Sequence, residues 1–124
     1  MAKRGSTKWL SERQEDRIAR IYGGRRSPSS GGHESDRGDV RTRHELIECK
    51  HKGTFDKPAK SISLKLEDFE KIADEAWSES RNPFMVLSIY APDSVLANKD
   101  GEVDFTVRLT LDDFHGRGGE AVIA

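Results

Sequence analysis

The stretch that decides the fold is GDVRTRHELIECKH, residues 38–51. It predicts a short strand over residues 38–41, a turn near residues 42–44, and a second strand from Glu45 to about His51. Side chains alternate between the two faces of an extended strand. One face of the second strand therefore carries Leu46, Glu48 and Lys50, and the other carries Ile47 and Cys49. The pattern predicts a β-hairpin with charged groups on one face and apolar groups on the other.

Asp39, Glu48 and Lys50 are the candidate catalytic residues of this hairpin. Glu48 and Lys50 lie two residues apart, so their side chains leave the same face about 7 Å apart, and the turn can bring Asp39 opposite Glu48. Two adjacent carboxylates repel each other, and a divalent cation relieves that repulsion. Oxygen ligands suit Mg²⁺ or Mn²⁺ better than zinc, and a nearby lysine can hold water or balance a phosphate. The set is typical of metal-assisted phosphodiester hydrolysis; the alternative is a surface ion pair on an ordinary strand.

The segment before the hairpin predicts one helix and a long loop. Ser11 followed by Gln14 has the form of a capping box, so we expect a helix from Ser11 to about Tyr22. Residues 1–8 are then a basic disordered arm. Residues 23–38 form a flexible loop rich in glycine, serine and arginine, which is either a plain connection or a segment whose backbone approaches phosphates.

The segment after the hairpin predicts a helix and two strands. Apolar residues at helical spacing indicate a helix from Lys65 to Glu79. Its buried stripe would contain Leu66, Phe69, Ile72, Ala73 and Ala76. Residues 84–90 predict a strand buried on both faces, and residues 103–109 predict a further strand after an Asp-Gly turn. The order of elements predicts a single α/β domain over residues 9–124, with a central mixed sheet flanked by helices.

Composition and charge narrow the class of protein. Of 124 residues, 35% are charged, and only one is a cysteine, which excludes an internal disulfide. No apolar run approaches the roughly 20 residues of a membrane span, so we expect a soluble protein of a reducing compartment. Residues 1–60 hold 15 Lys and Arg against 9 acidic residues, and residues 61–124 hold 6 against 13. This asymmetry is either chance with a solvated acidic helix, or a positive face for a polyanion such as nucleic acid.

Gly38-Asp39-Val40, with eight residues between Asp39 and Glu48, followed by Glu48-Cys49-Lys50, resembles the core of the PD-(D/E)xK nuclease superfamily. Glycine replaces the proline of the nominal motif. Within the superfamily, the arrangement is similar to the archaeal-type Holliday junction resolvases, whose relatives also occur in phages. The resemblance spans roughly residues 10–90, and it implies a restriction-endonuclease-like core.

The resemblance also implies a metal site and a set of catalytic residues. Mg²⁺ or Mn²⁺ would be held by Asp39, Glu48 and the backbone carbonyl of Cys49, while Lys50 orients or activates water. Glu15 matches the additional glutamate on the first helix of those resolvases, with Glu12 as the alternative. Ser30 is the preferred match to their loop serine.

The function implied is a metal-dependent DNA endonuclease that works as a homodimer in recombination or repair, in the cytoplasm, or in the host cytoplasm if a phage encodes it. Two alternatives stay open: a nicking, restriction-type or repair nuclease acting on duplex DNA, and a DNA-binding module without catalysis. The residues expected to contact DNA are Arg13, Arg17, Arg20, Arg25, Arg26, Lys57, Lys60 and Lys65.

Overall fold

The computed structural model describes residues 2–27, 39–108 and 122–123. The chain is an α/β protein with a mixed sheet flanked by two helices, as the sequence predicts. Its elements in chain order are α1 (Thr7–Tyr22), β1 (Arg25–Arg26), β2 (Val40–Arg41), β3 (Glu45–Lys52), α2 (Leu66–Ser78), β4 (Asn82–Tyr90), β5 (Glu102–Arg108) and β6 (Val122–Ile123).

The strands lie in the sheet in the order in which they occur along the chain. The β3–β4 pair is parallel, with Glu48 opposite Met85, and the other neighbouring pairs are antiparallel. A parallel pair needs a crossover connection, and α2 provides it. Residues 83–89 of β4 are buried, so the prediction of a central strand covered on both faces is confirmed.

Each helix covers one face of the sheet. On the α2 face, Leu46, Met85 and Leu87 pack against Ile72 and Ala76. On the α1 face, the packed residues are Ile18, Val40, Ile47, Phe84 and Val86, with Cys49 partly buried beside them. The alternation predicted for β3 is therefore confirmed, because neighbouring residues of that strand enter different cores.

The predicted start of α1 is wrong by four residues. The helix begins at Thr7, so Thr7 and Lys8 belong to it rather than to a disordered arm. Ser6 is the N-cap, and its Oγ accepts a hydrogen bond of 3.2 Å from the Trp9 N–H. Gln14 does not cap the helix, because its fully buried amide donates to the carbonyl oxygens of Lys50 and Val86 at 3.0 Å each.

The second helix agrees with its predicted range to within one residue at each end. Its stripe differs in two places: Leu66 is 75% exposed, and Glu75 is buried. The exposed Leu66 is the first residue of α2. No described helix is long and apolar enough to span a membrane.

Candidate active site

Asp39 and Glu48 meet where β2 ends beside β3. Asp39 directly precedes β2, and its N–H donates to the Ile47 carbonyl oxygen at 2.9 Å. Its side-chain Oδ2 accepts a hydrogen bond of 2.8 Å from the Cys49 N–H. The carboxyl group of Glu48 hydrogen-bonds to that of Asp39. The hairpin therefore brings together the two carboxyl groups that the sequence predicts as a pair.

This pair does not carry two full negative charges near neutral pH. Burial and the neighbouring charge of Asp39, against the effect of Lys50, together raise the pKa of Glu48 to about 8. Burial also raises the pKa of Asp39, opposed by the Cys49 N–H, by Glu48 and by the positive charges of Lys50 and Arg26. The pair therefore retains one shared proton, because a proton must separate two carboxyl groups in contact.

Lys50 lies on the same face of β3 as Glu48, with its side chain 38% exposed. Its Nζ is 3.5 Å from Asp68 Oδ1 at the start of α2. The ammonium therefore lies between the carboxyl pair, whose pKa values it lowers, and an acidic residue of the covering helix. Asp68 tethers the lysine on the site face.

Glu75 on α2 is a site residue that was not predicted from the sequence. It is 6% exposed, and its negative charge contributes to the raised pKa of Glu48. Position 75 follows Ile72 by three residues, so it lies on the apolar face of the helix. An acidic residue at such a position was the signal in the sequence.

The donor set fits a hard divalent cation. Two carboxyl groups in contact hold a shared proton that a cation would displace, and oxygen donors suit Mg²⁺. The N–H and C=O of one strand residue point to the same strand edge. The Cys49 carbonyl is therefore directed to the edge where its N–H meets Asp39. Within residues 2–27 and 39–108, no group of three or more Asp, Glu, His or Cys side chains that could hold a metal ion is found.

Glu15 is buried on α1 and pairs with Arg26, whose Nε lies 3.2 Å from Glu15 Oε1. Arg26 also acts electrostatically on Asp39, and Glu15 acts on the Cys49 thiol. Glu15 thus belongs to the surroundings of the site without joining the carboxyl pair in a three-ligand group. Glu12 is partly exposed on the same helix, and Ser30 lies outside the described residues.

The cationic residues expected to bind DNA fall into two groups. Arg13, Arg17 and Arg26 are engaged in ion pairs within the chain. The exposed ones are Arg20, Arg25, Lys57, Lys60 and Lys65, of which Lys65 lies 3.9 Å from Glu67 in an exposed ion pair. The structure thus leaves the second group more available to a phosphate backbone than the first.

The Cys49 thiol does not have the character of a nucleophile. Burial raises its pKa well above the usual value, and the negative charges of Asp39, Glu15 and Glu48 add to that effect. A thiol attacks as its thiolate, so this environment suppresses the reactive form.

No protein-family model matches the sequence, and no curated protein or solved structure matches the chain. The functional interpretation therefore depends on the geometry of the Asp39, Glu48 and Lys50 side chains.

Proposed function

We propose that this protein is a divalent-metal-dependent DNA endonuclease with a restriction-endonuclease-like core, acting on branched DNA as a Holliday junction resolvase. The observation that carries the proposal is the pairing of the Asp39 and Glu48 carboxyl groups, in which the Cys49 N–H fixes Asp39 beside β3 and Lys50 lies on the same face as Glu48. A protein that only binds DNA gains nothing from two buried acidic groups next to the phosphates it attracts, because like charges repel.

Each residue has a chemical role in this proposal. Asp39, Glu48 and the Cys49 carbonyl would hold Mg²⁺ or Mn²⁺, which supplies positive charge for the phosphate and lowers the pKa of a bound water. Lys50 would orient the attacking water and offset the charge that develops on the phosphate oxygens. The Cys49 N–H holds Asp39 in position through its hydrogen bond to Oδ2.

The preference for junctions depends on the number of sites. In this proposal the Asp39–Glu48 pair of each chain is one active site, so each chain cuts one strand at a time. Symmetric incision of a four-way junction requires two sites related by a two-fold axis, as a homodimer provides. Such a substrate would be selected by the shape of its backbone more than by its base sequence.

The test is cleavage of a labelled, immobile four-way junction with Mg²⁺ or with EDTA. We expect paired, symmetric nicks that require the metal, and little cleavage of a linear duplex of the same sequence. Lys50→Ala should lower the cleavage rate by at least about 100-fold while junction binding persists, because it removes a group that acts on the reacting water.

Lys52→Ala is the matched control, since Lys52 is an exposed lysine on the same strand. It should cleave at the rate of the unmodified chain. Full cleavage by Lys50→Ala would refute the assigned role of that residue. Equal cutting of duplex and junction would replace the resolvase with a nicking or restriction-type nuclease. Tight binding of the junction without cleavage in either Mg²⁺ or Mn²⁺ would indicate a DNA-binding module without catalytic activity.

A further inference from the structure

A cavity of about 400 Å³ lies at the end of β3 and β4, beside the first turns of α1. Six of its wall side chains are aromatic rings or cations, namely Trp9, Phe55, Tyr90, Arg4, Arg13 and Lys99, and the wall also includes the carboxylates of Asp100 and Glu102. Pockets of this volume accommodate small organic groups such as a nucleotide. The candidate active site uses none of these six side chains.

The three rings form a continuous, fixed surface. The rings of Trp9 and Phe55 meet edge to face with centroids 5.6 Å apart, and those of Phe55 and Tyr90 lie 5.0 Å apart at 33°. Gly5 holds Phe55 in place: the Phe55 N–H donates to the Gly5 carbonyl oxygen at 3.0 Å, and a Cβ at Gly5 would lie 2.5 Å from the Phe55 ring. Phe55 nevertheless remains 39% exposed, so part of a rigid aromatic face is open.

Cations lie beside these rings. The Arg13 guanidinium is 4.7 Å from the centroid of Trp9, and the Arg4 guanidinium is 5.6 Å from that of Phe55. Arg13 is also paired with Asp100 at 3.1 Å. Arg4 and Lys99 make no ion pair with any described residue, so two positive charges of the cavity are available to an anion.

We infer that this cavity binds an unpaired base of a DNA strand, with the base stacked on the aromatic face and a flanking phosphate at Arg4 or Lys99. Aromatic side chains provide stacking surfaces for unpaired bases of any sequence, and neighbouring cations attract the backbone. The choice of DNA as the ligand rests on the proposed function. A junction nuclease that separates the arms of branched DNA would expose unpaired bases at the crossover.

The cavity is close enough to the candidate active site to hold the same strand. Phe55 follows Lys50 by five residues, so their Cα atoms are at most about 18 Å apart. Gln14, the neighbour of Arg13 on α1, donates to the Lys50 carbonyl oxygen. A DNA strand bound at the carboxyl pair would pass around the end of β3 to enter the cavity, because Glu48 shares the α2 face of β3 with Leu46 and the cavity adjoins α1.

Trp9 provides the readout, because the chain contains only two tryptophans. The full-length Trp77→Phe variant retains Trp9 as its sole tryptophan and is titrated in EDTA with a short oligothymidylate. We expect saturable quenching of Trp9 emission. The same oligonucleotide with abasic sites in place of its bases has equal charge, and it should bind at least about 5-fold more weakly without quenching.

Phe55→Ala in this background should weaken oligothymidylate binding by about 5- to 150-fold, the range for loss of a base–aromatic stack. Phe105→Ala is the matched control, because Phe105 is also 39% exposed and lines a different cavity. It should leave the affinity unchanged. Circular dichroism of both variants checks that they fold, and the abasic comparison tests the inference without either variant.

Equal affinities for the base-bearing and abasic oligonucleotides would overturn the inference, and so would an unchanged Trp9 emission. Binding of thymidine monophosphate as tightly as the oligonucleotide would also overturn it, because that result indicates a site for free nucleotides. Junction cleavage by the same preparation separates this inference from the proposed function. Junction cleavage without quenching of Trp9 would refute the proposed base site and leave the proposed nuclease function standing. Base-dependent quenching without cleavage would refute the nuclease function and leave the base site standing.

Discussion

At the scale of single residues, Glu48 is the group whose ionisation the fold constrains most. Its carboxyl group is desolvated by burial beside the negative charge of Asp39, and Glu75 contributes a further negative charge from α2. The positive charge of Lys50 offsets only part of this, so the pKa rises from 4.5 to about 8. The site thus holds a proton that a divalent cation would release, because carboxylate ligands bind in the deprotonated form.

The raised pKa predicts how the stability of the metal-free protein depends on pH. Between pH 4.5 and about 8 the folded chain binds the Glu48 proton and the unfolded chain does not. The stabilisation that this proton provides is complete below the pKa that Glu48 has in the unfolded chain. It is lost as the pH rises through the pKa that Glu48 has in the folded chain. Glutamine carries no titrating proton, so relative to the unmodified chain Glu48→Gln should gain about 4 kcal/mol of unfolding free energy between pH ~5 and pH ~8.5.

Urea denaturation in EDTA measures this difference. Glu70→Gln serves as the control, because it removes an exposed carboxylate of α2 that lies away from the pair. A pH-independent difference between Glu48→Gln and the unmodified chain would contradict the raised pKa of Glu48.

At the scale of elements, α1 is positioned by polar contacts at two points. Ser6 caps its N-terminus, and the Gln14 amide in its second turn reaches the backbone of both parallel strands. Gly23 ends the helix with φ of 70°, a left-handed conformation that glycine adopts without strain. The helix is therefore held against the strand that carries Glu48 and Lys50.

The position of the cap yields a direct comparison of two serines. Ser6→Ala should lower the free energy of unfolding by about 1 kcal/mol, because it removes the acceptor of the Trp9 N–H. Ser11 lies inside the helix, so Ser11→Ala should change the free energy of unfolding by less than about 0.5 kcal/mol. Chemical denaturation of both variants checks this, and a larger loss for Ser11→Ala would place the helix start where the capping-box pattern predicts it.

At the scale of the whole molecule, the basic and acidic halves of the sequence fold against each other. Arg17 of α1 pairs with Glu102 and, at 2.8 Å, with Asp104 of β5. The side chain of Glu102 is fully buried and that of Arg17 is 13% exposed. Part of the positive charge in the first half therefore neutralises acidic residues of the second half, and the net charge of the first half overstates the charge offered to DNA.

Arg17 and Arg20 should accordingly respond differently to replacement by alanine. Arg17→Ala leaves Glu102 buried without one of its cations and should lower the free energy of unfolding by about 3 kcal/mol. Arg20 is exposed, so Arg20→Ala should leave stability unchanged and lower the slope of log affinity for DNA against log salt by about 1.

Denaturation and salt-dependent DNA binding, measured on both variants, separate the two roles. If Arg17→Ala kept full stability and reduced the salt slope as Arg20→Ala does, Arg17 would be a phosphate contact rather than a structural ion pair.

The sequence by itself determined the features that depend on local periodicity. Alternation along residues 45–52 and helical spacing in α2 report which side of an element is buried, so the faces of β3 and the range of α2 were predictable. The short turn between β2 and β3 made the approach of Asp39 to Glu48 predictable as well. Only the tertiary structure decided which distant groups meet. Glu75 reached the Glu48 face, Gln14 bonded the strands instead of capping α1, and Arg17 paired with Glu102. Each of these contacts joins two elements, and the packing of elements against one another, not the spacing within one, selects the partner.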